Sequence, residues 1–133
     1  MRRDDWPARL AAFIEARRTR RFKWGEHDCA LFAADWVLEC CGVDLADCYR
    51  GTYHTAIEGR RLIGAGGGLM MMVRRAGLLA LSDVYEAQRG DIAQTANHGR
   101  TALGIVDGPQ VVGPGERGLV WHPIHDAIMA WRI

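Results

Sequence analysis

One cysteine in this chain has a setting suited to nucleophilic chemistry: Cys29, in the run Phe22-Lys23-Trp24-Gly25-Glu26-His27-Asp28-Cys29-Ala30-Leu31-Phe32. Asp28 is a strong helix N-cap, so Cys29 falls in the first turn of the helix that follows, where free N–H groups and the helix dipole favour a thiolate by about 0.3–1 kcal/mol. That effect alone multiplies the few per cent of thiolate present at neutral pH only a few-fold, so a working nucleophile needs an imidazole beside it. The competing reading makes Cys29 a small core residue. Cys29, Phe32, Ala33, Trp36, Val37 and Cys40 recur at helical spacing as one apolar face.

The aromatic-x-Trp-Gly segment, the short spacer, Asp28-Cys29 and Phe32 together resemble the nucleophile segment of NlpC-type cell-wall peptidases, a branch of the papain-like cysteine hydrolases. Downstream, Arg89-Gly90-Asp91-Ile92-Ala93 is similar to the Gly-Asp that opens the family's first antiparallel strand. Thr101-Ala102-Leu103-Gly104-Ile105-Val106-Asp107-Gly108 stands where the family has a His-Val-Gly-Ile-like strand ending in Gly. The resemblance covers residues 22 to 133. The closing Ala130-Trp131-Arg132-Ile133 and the Val111-Val112-x-Pro114-Gly115 segment look like a compact branch found in phage and prophage tail gene clusters. It implies Cys29 as nucleophile, supported by Trp24, Gly25 and Asp28. It also implies peptidoglycan peptides as substrate or, in the tail branch, tail-tip or tail-hub proteins as partners and the virion tail as destination.

The departures from the family pattern cluster at one site. The family's general-base His aligns with Ala102, and its third polar residue aligns with Gly113 or Pro114, neither of which accepts a side-chain hydrogen bond. Phe22 replaces the usual Tyr, and Ala30-Leu31 replaces a common Ser-Gly. Losing the His removes both thiolate formation and leaving-group protonation, each proton transfer contributing about 10²–10⁴-fold. A relocated base is conceivable: His98, in the loop before Ala102, is the first candidate, with His27 and His122 behind it. Each also has a plain structural reading, as a loop residue, a turn residue and a strand-end residue. Because the departures fall together while the apolar pattern is intact, the expectation is a structural, degenerate peptidase fold. The alternative is an active amidase using Cys29 and His98.

The elements that would position these residues form an α+β domain. Asp4 or Asp5 is expected to cap a helix to about Arg18, with Pro7 in its first turn and Trp6, Leu10, Phe13 and Ile14 as its stripe. The Cys29 helix ends at Cys41-Gly42, and a third spans Thr55 to Leu62. Gly64 to Gly68 lacks the Lys-Ser/Thr of a phosphate loop and reads as a connector to a short helix over Leu69 to Arg75. About five strands follow, at 91–95, 101–106, 110–112, 119–122 and 130–133, with Asp107-Gly108 as a hairpin marker and Gly113-Pro114-Gly115-Glu116-Arg117-Gly118 as a loop. Helices in residues 1–80 and strands in 90–133 predict a Cys-bearing helix packed on an antiparallel sheet, papain-like in order.

With 133 residues, 49% of them hydrophobic, and a net charge of +1, the sequence reads as one domain with no nucleic-acid footprint. The basic run Arg17 to Lys23 reads as a solvated face. No apolar stretch is long enough for a membrane span, and Asp4 and Asp5 stand where a leader would be apolar, so synthesis in the bacterial cytoplasm is expected. Cys29, Cys40, Cys41 and Cys48 contain no Cys-x-x-Cys, which gives no support to a disulfide framework, a structural zinc or any other cofactor. Cys41, Cys48 and His54 match no common metal spacing.

Overall fold

The structure, a computed structural model, describes residues 1–133. Four helices come first: α1 (Trp6–Arg17), α2 (Cys29–Cys41), α3 (Ala56–Ala65) and α4 (Leu69–Arg75). Six strands follow: β1 (Leu79–Ala80), β2 (Ile92–Asn97), β3 (Arg100–Asp107), β4 (Gln110–Gly115), β5 (Gly118–Pro123) and β6 (Ala127–Arg132). They form one antiparallel sheet in the order β1-β6-β2-β3-β4-β5. The sequence predicts about five strands. The sixth, β1, is two exposed residues paired with the end of β6, so nothing local in the chain announces it.

Helix α2 is the hub. Its predicted face is buried at Phe32, Ala33, Trp36, Val37 and Cys40, but Ala30, Leu31 and Ala34 are buried as well. The helix is enclosed on more than one side because α1 packs on it opposite the sheet. Phe13 of α1 lies 5.3 Å from Phe32 and 5.6 Å from Trp36, while Leu103, Ile105 and Val112 supply the sheet side of the same core. A smaller cluster, Ala93, Val106, Val111, Ala127 and Ala130, lines the other sheet face.

Trp36 Nε1 donates to the Gly90 carbonyl at 2.8 Å, which fixes α2 to the entry of β2. The adjoining Asp91 side chain is fully buried and gathers both chain ends. Its carboxylate accepts from Arg2 at 2.5 Å, from Arg132 at 3.3 Å and from the Ile133 N–H at 3.4 Å. The Gly-Asp dipeptide therefore has a structural task here.

Two expectations about turns need correction. Asp5 occupies the N-cap position of α1, but its side chain makes no cap bond and pairs with Arg9 instead. The Gly113-to-Gly118 stretch is not a loop: β4 runs to Gly115, β5 begins at Gly118, and only Glu116-Arg117 turns. Pro114 is accommodated because its partner Leu119 donates its N–H to Arg18 and not to β4, so that rung requires no ladder bond.

Candidate functional site

Asp28 organises the approach to α2. Only 1% exposed, its carboxylate caps the helix by accepting from the Leu31 N–H at 2.9 Å, then also from the Gly25 N–H at 3.0 Å and the Tyr53 hydroxyl at 2.6 Å. Burial, and then the bond to Asp28, push the Tyr53 phenol up, so it stays a neutral donor. Gly25 sits at φ 79, and a Cβ there would overlap the Tyr53 carbonyl oxygen, so this position excludes side chains twice over. Trp24 stacks edge-on against Phe22 at 4.8 Å.

A cavity of about 680 Å³ opens beside this turn. Cys29, Ala102 and Pro114 all line it, from α2, β3 and β4. Phe22, Trp24, Ile63 and Leu69 give it apolar walls, and Arg60 and Arg100 stand at its exposed edge. The positions that the resemblance would give to a nucleophile, a base and, of the two alternatives Gly113 and Pro114, the second thus share one cavity, holding a thiol, a methyl group and a proline ring.

No histidine lines that cavity. His98, the proposed base, is at the tip of the β2–β3 hairpin with φ 49 and is exposed, although its neighbours Gly99 and Arg100 reach the cavity. His122 lies opposite Val111 on the sheet face turned away from α2, because directly paired residues share a face. His27 is 1% exposed, packs edge-on against Phe32 at 5.9 Å, and leaves Nε2 without a partner. Its burial, with Arg20 and Arg17 adding to the effect, lowers its pKa to about 4. His54 is exposed, and His125 pairs with Asp126. None of the five lines the cavity with Cys29.

The thiol responds accordingly. Burial pushes Cys29 up to about 11; the Leu103 N–H beside the sulfur opposes this, and the Asp28 charge reinforces it. At pH 7 such a group is ionised about once in ten thousand molecules, well below an ordinary cysteine. The helix dipole, worth less than one pKa unit, is outweighed by desolvation.

Sequence reasoning missed Tyr53, Arg60 and Arg100. Tyr53 and Arg100 come from stretches without periodic or motif signal, and Arg60 from a predicted helix in which nothing singles it out. The basic run is largely accounted for: Arg17 lies over the Phe13 ring at 3.6 Å, Arg18 pairs with Glu15, and Lys23 pairs with Glu26. No group of three or more His, Cys, Asp or Glu side chains is arranged to hold a metal ion. No helix is long and apolar enough to cross a membrane.

The sequence profile of a family described as Domain of unknown function (DUF6950) matches residues 1–133. A comparison with curated proteins finds no match.

Proposed function

The chain belongs to the DUF6950 family, and from that premise we propose that it is a non-catalytic, papain-like (NlpC-like) domain serving as an interaction module in a phage or prophage tail. One observation carries the reading: no histidine lines the cavity that Cys29 faces. A papain-like hydrolase needs a thiolate and a proton donor for the leaving amine, and a cavity lining without histidine supports the non-catalytic reading. The tail setting rests on the resemblance of the Cys29 segment, the Gly90-Asp91 strand opening and the C-terminal segments to that branch.

The test is alkylation of the folded protein by iodoacetamide as a function of pH, read at Cys29 by mass spectrometry with exposed Cys48 as internal control. The expected Cys29 profile inflects above pH 9 and lags behind Cys48, and purified muropeptides remain uncleaved. An inflection below about pH 7, or cleavage abolished by Cys29→Ser, overturns the reading. In a phage carrying this gene, Cys29→Ser is expected to leave tail assembly intact, whereas deleting the gene stops it. Normal tails after the deletion would refute the tail role.

A further inference from the structure

The sheet is split at the cavity, and the register explains why. From the Gly108-Pro109 turn, β3 and β4 pair at Asp107/Gln110, Val106/Val111 and Ile105/Val112, and then stop. The next rung that would need a main-chain donor sets Leu103 opposite Pro114, which has no N–H to give. Gly104 lets the last rung close tightly, since a Cβ there would lie 2.6 Å from Val111 Cγ1 and 2.7 Å from the Val112 oxygen. Beyond it β4 pairs only with β5.

Val106 exchanges its main-chain bonds with Gly90 and Asp91, on the β2 side. Antiparallel alternation then turns the N–H and C=O groups of Thr101 and Leu103 away from β2, into the split. The Leu103 N–H faces the side from which Cys29 lines the cavity. Thr101, exposed and lining the cavity, has no strand opposite it.

The charge at this opening is one-sided. Arg60 and Arg100 line the cavity and neither forms an ion pair, while the only carboxylate lining it, Asp28, is buried and bonded to three donors. The walls of Phe22, Trp24, Ile63 and Leu69 are apolar. An open strand edge, an apolar wall and two uncompensated cations together describe one kind of occupant.

We propose that this cavity docks an extended acidic segment of a partner protein, which adds to β3 at Thr101, lays apolar side chains on the Trp24 wall and sets carboxylates against Arg60 and Arg100. The proposal rests on the reading of the domain as a non-catalytic interaction module. It names the chemistry of the partner for that same site.

The probes are end-blocked L-pentapeptides of alternating Val and Glu, Val and Gln, or Val and Lys, titrated into the full chain while backbone amide chemical shifts are followed. The Glu peptide is expected to shift the Thr101 and Ala102 amides saturably. The Gln peptide should bind more weakly, and the Lys peptide not at all. Arg60→Gln and Arg100→Gln, both on exposed side chains, should each weaken the Glu peptide by about two- to fivefold and leave the Gln peptide unchanged. A Glu peptide N-methylated at its central residue should lose binding, because the strand bond is blocked. Three results overturn the proposal: no saturable shift at these amides, equal binding of the Glu and Lys peptides, or tighter binding of a disaccharide muropeptide than of the Glu peptide. If the peptides fail while Cys29 alkylation still inflects above pH 9, the docking proposal falls and the non-catalytic reading stands. An inflection below pH 7 removes that reading instead.

Discussion

His27 makes stability depend on pH in a direction that can be worked out. The imidazole is 1% exposed, faces the Phe32 ring, and has Arg20 and Arg17 nearer in effect than Asp35 and Asp28, so its pKa falls from 6.5 to about 4 in the folded chain. Above pH 6.5 both folded and unfolded chains hold it neutral and it contributes no pH dependence. Between 6.5 and 4 the unfolded chain binds a proton that the folded chain refuses, so stability falls as pH falls, and below 4 the loss is complete. With those two values the loss from pH 8 to pH 5 is about 2 kcal/mol. For 133 residues that corresponds to a drop in Tm of about 7 °C. Thermal unfolding of wild type and His27→Gln across pH 5 to 8 isolates this contribution, because carboxylates elsewhere act alike in both. Whatever stability the variant starts from, its curve should be flatter by that amount. Parallel curves would refute the assignment of a buried, neutral His27.

Two further substitutions test the supports of the site. Asp28→Ala removes an N-cap and strands the Tyr53 hydroxyl and the Gly25 N–H; a loss of about 3–5 kcal/mol in urea unfolding is expected, and a loss under 1 kcal/mol would show that water replaces the carboxylate without cost. Asp91→Ala leaves the Arg2 and Arg132 guanidinium groups without their shared, fully buried carboxylate, for an expected loss of about 3–5 kcal/mol; a stability unchanged from wild type would mean that the packing of the chain ends does not depend on this triad.

Much of the helical part was legible because its boundaries are set by local chemistry. Asp28 caps α2 through its own side chain, Gly42 ends it at φ 76, and Thr55 caps α3, all within one turn of the residue concerned. Helix α3 runs past Leu62 to Ala65 because a Gly at position 64 weakens a helix without ending it. Strand ends were harder to read. His98 looks like loop, yet with Gly99 it forms a two-residue turn that lets β2 and β3 pair to Asn97/Arg100. The Gly-Pro-Gly of β4 looks like a break until its pairing with β5 is known.

At the site, Trp24, Gly25, Asp28 and Cys29 are contiguous in the chain and were found together. Alignment pointed to Ala102 and to Gly113 or Pro114, and of these Ala102 and Pro114 line the cavity with Cys29. Tyr53, Arg60 and Arg100 carry no such signal. Tyr53 is 25 residues from the carboxylate it serves, and the two arginines matter only because folding leaves them without acidic neighbours.

These contacts give the nucleophile-like motif a structural task that does not depend on catalysis. Gly25 is required by the Tyr53 carbonyl, Asp28 by three donors, and the aromatic pair Phe22 and Trp24 by each other and by the cavity wall. Each of these residues would be retained for folding if catalysis were never selected. Their presence is therefore weak evidence of activity. What separates an active from an inactive site is the group beside the sulfur, and the cavity that Cys29 lines holds a methyl group at Ala102 and a ring at Pro114 but no histidine. The same proline that leaves no orienting side chain also opens the sheet. One residue thus bears on both proposals: it offers no orienting side chain, and it leaves the β3 edge beside it unpaired.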